Sequence, residues 1–259
     1  MKELKVLMLT TVFSFLLTSC AGSDRITPLI VSCQQGNVEV VKEIIAKRAD
    51  VNAKTAQGET ALMFASDNGN IDIVKELIAN GADVNAKNTL GQTVLIYASS
   101  SGHIEVVKEL ISKGAYVNAK TTGDGTSVGA FFSGQTALFF ACQNDHSDVA
   151  KELIVNGADV NTKDFYGTTA LMHSAINGNV QMVRQLISKG ADVNAKDNGG
   201  YTALIFSSRE GHVDVVKKLS STGADVNAKT KEGQTATSMA KDNGYMAIVK
   251  MLQEAGAKE

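Results

Sequence analysis

The sequence predicts an all-α repeat solenoid over residues 25–259: seven helix-turn-helix units joined by β-hairpin-like fingers. Three observations carry this. Threonines recur at Thr27, Thr60, Thr93, Thr136, Thr169, Thr202 and Thr235, spaced by 33 residues except for one interval of 43. Within nine residues of six of them comes a glycine-centred turn, at Gly36, Gly69, Gly102, Gly178, Gly211 and Gly244. An amphipathic stretch then leads into Asp-Val-Asn-Ala-Lys or a near copy.

The local chemistry of one unit supports each element in turn. Thr60 is a suitable N-cap for a short first helix over Ala61–Asp67, and Gly69 breaks it. In the first unit Pro28 follows Thr27, where a proline is tolerated because its missing N–H would have no helical partner. Ile71, Val74, Leu77 and Ile78 then supply one apolar face of a second helix, with Asp72, Lys75 and Glu76 opposite. Gly81 suits the left-handed residue that ends a helix, and Asp83 to Gly91 offers turn formers for an extended finger. Neither helix buries its stripe alone, so the units must stack. The apolar position held by Ile45, Ile78, Ile111, Ile154 and Ile187 becomes Ser220 and Gln253 in the last two units, as a terminal cap requires.

The 33-residue period and this residue order resemble the ankyrin repeat family across residues 25–259. The family's Thr-Pro-Leu-His opening survives only as Thr27-Pro28-Leu29-Ile30, and in the next five units as Thr-Ala-Leu or Thr-Val-Leu, without the histidine. The resemblance implies a scaffold that binds other proteins through finger tips and the first-helix face of its concave side. Carried over residue by residue, the finger positions are Leu90, Phe165, Tyr166 and Tyr201, and the first-helix positions include Asp67, Gln143, Ile176 and Arg209.

Recognition belongs where the units stop being alike. The one long interval holds an insertion at residues 121–133, containing Val128, Phe131 and Phe132. Just before it, Tyr116 replaces an aspartate found in the other units. The candidate partner-binding set is therefore Leu90, Tyr116, Phe131, Phe132, Phe165, Tyr166, Tyr201 and Arg209, of types enriched at binding hot spots. Two readings stay open: a partner site, or an insertion folded over the aromatics as a satellite cluster.

The first residues read as a targeting segment outside the fold. Lys2 and Lys5 precede the apolar run Val6 to Leu17, which as a helix would span only about 18 Å against roughly 30 Å of bilayer hydrocarbon. The run ends in Leu17-Thr18-Ser19-Cys20, which resembles a bacterial lipoprotein signal. That resemblance implies a signal peptide at 1–19, a diacylglycerol thioether on Cys20, a tether at 20–24 and a lipid-anchored location in the cell envelope. Ordinary secretory cleavage nearby is the alternative.

Little else suggests chemistry. A net charge of −2 offers no global argument for nucleic acid. His103, His146 and His212 share one repeat position, too far apart for a single ion, and His173 lies in a first helix. The run Gly123 to Gly129 lacks the Gly-Lys-Ser/Thr of a phosphate loop. Cys33 and Cys142 read as small buried hydrophobes. A ladder of Lys54, Lys87, Lys120, Lys163, Lys196 and Lys229 reads as a solvated surface compensated by Asp50, Asp83, Asp159, Asp192 and Asp225. No metal, cofactor or small-molecule substrate is expected, and the chain reads as a non-enzymatic module that binds another protein. An immunity or stress-protective accessory protein, blocking or supporting one periplasmic enzyme, is the alternative.

Overall fold

The computed structural model describes residues 26–123, 125 and 129–258. The proposed signal and tether, Cys20 among them, and Val128 of the insertion lie outside the described residues. The chain divides into two compact units, Met1–Tyr116 and Val117–Glu259.

The first unit holds α1 (Pro28–Gln34), α2 (Val38–Ala46), α3 (Ala61–Asp67), α4 (Ile71–Ala79), α5 (Val94–Ser100) and α6 (Ile104–Ser112). The second holds a 3-10 turn at Gly129–Phe132, then α7 (Ala137–Gln143), α8 (Ser147–Val155), α9 (Ala170–Ile176), α10 (Val180–Ser188), α11 (Ala203–Glu210), α12 (Val213–Ser220), α13 (Ala236–Asp242) and α14 (Met246–Glu254). Within each unit the first helices stack on one another, and the second helices lie side by side behind them. Among the described residues there is no sheet. The fingers make only isolated bridges, Lys54 with Thr60 and Lys87 with Thr93. Each of these two bridges is antiparallel and closes its finger as a short hairpin-like turn.

Every first helix starts as its sequence dictates. The hydroxyl oxygens of Thr27, Thr60, Thr93, Thr136, Thr169, Thr202 and Thr235 each accept the N–H three residues on, at 3.1–3.4 Å. Such a cap contributes about 1 kcal/mol. Pro28 takes the first turn of α1, as expected. In α4 the buried stripe keeps Val74 and Leu77 of the sequence expectation and takes Ile73 in place of Ile71 and Ile78. Ile73, Val74 and Leu77 are fully buried in α4, whereas Ile71 and Ile78 are only half-buried. The reason is geometric: Ile73 and Leu77 lie one turn apart on the side that meets α3, and Ile71 sits at the open N-terminal edge.

The turn between the two helices needs a left-handed residue, and glycine supplies it in most repeats. At Gly69 (φ +71°) a Cβ would come within 2.4 Å of the His103 ring, which reaches back from the next repeat to hydrogen-bond Asp67 O at 2.8 Å. The same contact recurs at Gly178, where His212 Nε2 donates to Ile176 O at 2.7 Å. These two histidines therefore tie one repeat to its neighbour. In the fourth repeat Asp145 occupies the left-handed position at φ +59°. Its carboxylate accepts from Asn179 Nδ2 at 2.6 Å, which explains why that copy dispenses with the glycine.

The strongest regular feature is an asparagine ladder. Asn161 Nδ2 donates to Gly190 O at 2.9 Å while its Oδ1 accepts from Asp192 N at 2.8 Å. Asn52 and Asn85 do the same in the first unit, and Asn118, Asn194 and Asn227 in the second. Each side-chain amide thus stands in for a peptide and pairs both backbone groups of the next repeat. The aspartates two residues upstream do not neutralise the lysine ladder. Asp50, Asp83, Asp159, Asp192 and Asp225 accept the backbone N–H of these asparagines. Among the described residues no ladder lysine pairs with a ladder aspartate. Lys54 and Lys163 instead donate to the carbonyls of Lys87 and Lys196. The expectation of ion-pair compensation is corrected on that point.

Cys33 is buried in the first unit and Cys142 in the second, both as free thiols. Among the described residues no helix is long and apolar enough to cross a membrane.

Candidate functional site

The fingers of the second unit are built on one repeated turn. Asp164 N donates to Thr168 O at 3.1 Å, Gly167 N donates to Asp164 O at 2.9 Å, and the Asp164 carboxylate accepts from Tyr166 N and Thr168 N. An Asp, Asn or Thr at this position lets a side-chain oxygen satisfy the turn's N–H groups. The insertion keeps the same closure with a longer reach: Thr121 N donates to Gln135 O at 3.0 Å, and Gly134 N to Thr121 O at 2.9 Å. The Thr121 hydroxyl donates to the carbonyl of Phe132. The extra residues are looped out between two points that an ordinary finger already pairs. At Gly134 (φ +84°) a Cβ would meet Lys163 O at 2.9 Å, because the next finger's backbone runs past it.

Neighbouring finger tips are joined. Phe165 N donates to Ser133 O at 2.9 Å, Asn198 N to Tyr166 O at 2.8 Å and Lys231 N to Gly199 O at 2.8 Å. This backbone ladder brings together three of the expected rings. Phe131 meets Phe165 edge-on with ring centroids 5.3 Å apart and stacks on Tyr166 at 6.0 Å. Phe165 and Tyr166 are themselves 5.3 Å apart and perpendicular. The insertion does fold onto the fingers, yet the cluster stays open to solvent: exposure runs from 41% at Phe131 to 48% at Tyr166. Phe132 beside it is equally exposed.

The remaining expected residues fall elsewhere. Tyr201 is half-buried, stacked on Phe206 at 5.1 Å, with its hydroxyl donating to Gln234 at 3.3 Å. The Arg209 guanidinium sits 5.1 Å from the same ring and pairs with Glu210 at 2.8 Å. Leu90, half-buried, and Tyr116, 66% exposed, belong to the first unit.

Phe206 went unnoticed in the sequence, although its signal was there. The fourth residue of successive first helices reads Phe64, Tyr97, Phe140, His173 and Phe206, an aromatic file at the repeat period. In the first unit, burial and the adjoining Glu59 carboxylate hold the Tyr97 phenol well above its ordinary pKa; it donates to Glu59 at 2.9 Å and accepts from Asn88 at 3.1 Å. In the second, the His173 ring packs edge-on against Phe139 at 4.5 Å. Burial pushes its pKa below the ordinary 6.5, and the nearby Asp164 carboxylate opposes this only in part. Between 6.5 and the lower folded value the unfolded chain binds the extra proton, so stability is full above pH 6.5 and falls on acidification. The loss runs up to about 1.4 kcal/mol per pH unit over that window. Thermal melts at pH 7 and pH 5 check this: His173→Gln is expected to lose less stability between them than the parent chain.

Among the described residues no three His, Cys, Asp or Glu side chains converge on a possible metal position. The arrangement is one of exposed rings on a hydrogen-bonded frame, suited to apolar contact with a protein surface.

Comparison with known proteins agrees with this architecture. No curated protein sequence matches the chain. Among solved structures, the crystal structure of the human ASB11 ankyrin repeat domain superposes with a TM-score of 0.76, at 23% identity, over 90% of this chain and 99% of that one. At that identity the likeness concerns the fold. The family model "Ankyrin repeats (3 copies)" matches residues 8–88, 29–121, 85–164, 122–197, 138–230 and 196–259. With a helical pair, a capped start and a bridged finger recurring at that period, the chain belongs to the ankyrin repeat family, whose repeats are protein–protein interaction modules.

Proposed function

We propose that the chain is a membrane-tethered interaction module of the bacterial cell envelope, which captures one protein partner through the aromatic finger tips of its second unit and performs no catalysis itself. The observation that carries the site is the Phe131–Phe165–Tyr166 cluster. Three large rings are locked to one another, seated on paired backbone, and still roughly half exposed. Rings already ordered lose little entropy on binding, which is why such residues serve as anchors. Phe132 extends the patch, whereas Tyr201 and Arg209 gather on Phe206 and form a separate, secondary contact. Leu90 and Tyr116 belong to the first unit and are proposed as contacts of that unit by itself. The tether is carried by Cys20 in Leu17-Thr18-Ser19-Cys20.

The test is crosslinking of the full chain in intact cells, with a clickable fatty acid in the growth medium. Phe131→Ser/Phe165→Ser/Tyr166→Ser should abolish the crosslinked partner, leaving helical content and lipid label unchanged. Cys20→Ala should lose the label. Undiminished crosslinking by the triple variant would refute the finger-tip site, and a persistent label on Cys20→Ala would refute the tether.

A further inference from the structure

The second helices change sign along the chain. At their second, fifth and sixth positions the first four repeats read acid-lysine-acid: Glu39-Lys42-Glu43, Asp72-Lys75-Glu76, Glu105-Lys108-Glu109 and Asp148-Lys151-Glu152. In α10, α12 and α14 the same positions read Gln181-Arg184-Gln185, Asp214-Lys217-Lys218 and Ala247-Lys250-Met251. Every one of the first four triplets has a net negative charge, and every one of the last three a net positive charge. Because α10, α12 and α14 lie side by side within the second unit, Arg184, Lys217 and Lys250 form one row.

Ion pairing follows the flanking acids only in part, since Lys42 and Lys75 have no ion-pair partner among the described residues. Lys108 and Lys151 are held by Glu105 at 3.1 Å and Asp148 at 3.6 Å. Arg184, Lys217, Lys218 and the adjoining Lys189 have no ion-pair partner among the described residues. The acids on this face are Asp214 and Glu254, the latter 3.9 Å from Lys250. One turn before the cations, the helix starts carry exposed apolar groups: Val213, Tyr245 and the 60% exposed Met246. Val213 shares a helix face with Lys217, and Met246 with Lys250.

Unpaired long cations edged by tyrosine and methionine match a surface that is anionic at its headgroups and apolar just beneath. A nucleic-acid backbone would satisfy the charges and leave the three apolar side chains without a counterpart. We propose that the α10–α12–α14 face docks on a lipid surface bearing anionic headgroups. This contact is separate from the finger-tip site and from the tether, and its failure would leave both standing.

The experiment is sedimentation of the full chain with vesicles of phosphatidylcholine alone and of an equal mixture with phosphatidylglycerol. Any pull from the apolar N-terminal segment is common to every variant. Each basic residue near an anionic membrane is worth about a fivefold change in partition. Arg184→Gln/Lys217→Gln/Lys218→Gln should therefore weaken binding to the anionic vesicles by at least about tenfold, with no change on phosphatidylcholine. Lys42→Gln/Lys75→Gln/Lys108→Gln removes the same charge from acid-flanked helices and should leave binding intact. An equal loss in that control would mean that net charge alone is sensed and would overturn the proposal. So would indifference to phosphatidylglycerol, or tighter retention of a duplex DNA probe than of the vesicles.

Discussion

Gly178→Ala is expected to cost about 3 kcal/mol, and Gly190→Ala only about 1, although both glycines are left-handed. At Gly190 (φ +87°) a methyl group would meet nothing within 4 Å, so only the conformational strain is felt. At Gly178 (φ +71°) the methyl would lie 2.6 Å from His212 Nδ1. The ring must then leave its 2.7 Å hydrogen bond to Ile176 O, and the next repeat loses a tie. Urea denaturation of both single variants and of Gly178→Ala/His212→Ala separates the two effects. In the double variant the steric part should vanish, so that the two changes together cost less than their sum. Additive costs would mean that the histidine does not pack on this turn.

Asn161→Ala should cost about 2 kcal/mol, a large effect for a solvent-facing residue. Two backbone groups of the following repeat, Gly190 O and Asp192 N, lose their partner at once. In a stacked array stability is close to a sum of repeat and nearest-neighbour terms. Weakening a single junction should therefore broaden the unfolding transition of the second unit as well as shift it. Replacing exposed Lys196 by alanine, four residues beyond Asp192, should leave the transition unchanged. Circular dichroism followed through denaturant reads both.

The helices were legible because their signals are local and repeated. Threonine caps and apolar spacing recur seven times and the interhelical glycine six, and stacking is what those faces permit. Two errors have physical causes. The stripe in α4 was right at Val74 and Leu77 and missed Ile73, because Ile71, Ile73, Val74, Leu77 and Ile78 are all apolar and only packing against α3 selects among them. The asparagine ladder was hidden in plain view. Asn in a run of turn formers reads as one more turn former, and its two bonds to the following repeat require knowing which backbone comes alongside.

The candidate site was half legible. The sequence locates the insertion and its rings. That Phe131 would settle on Phe165 and Tyr166 while Tyr201 turned inward to Phe206 depends on the tip-to-tip pairing of fingers, a contact between residues 32 or more positions apart. The division at Tyr116 and Val117 falls just before the insertion, where Tyr116 replaces the ladder aspartate.

The two buried cysteines have a consequence of their own. Burial pushes the thiol pKa of Cys33 and of Cys142 up to about 12. Since the thiolate is the reactive form, an alkylating reagent finds neither sulfur while its surroundings stay closed. Each half of the molecule thus contains a latent chemical clock: the time at which its sulfur becomes modifiable records when that half, and not the other, has come apart.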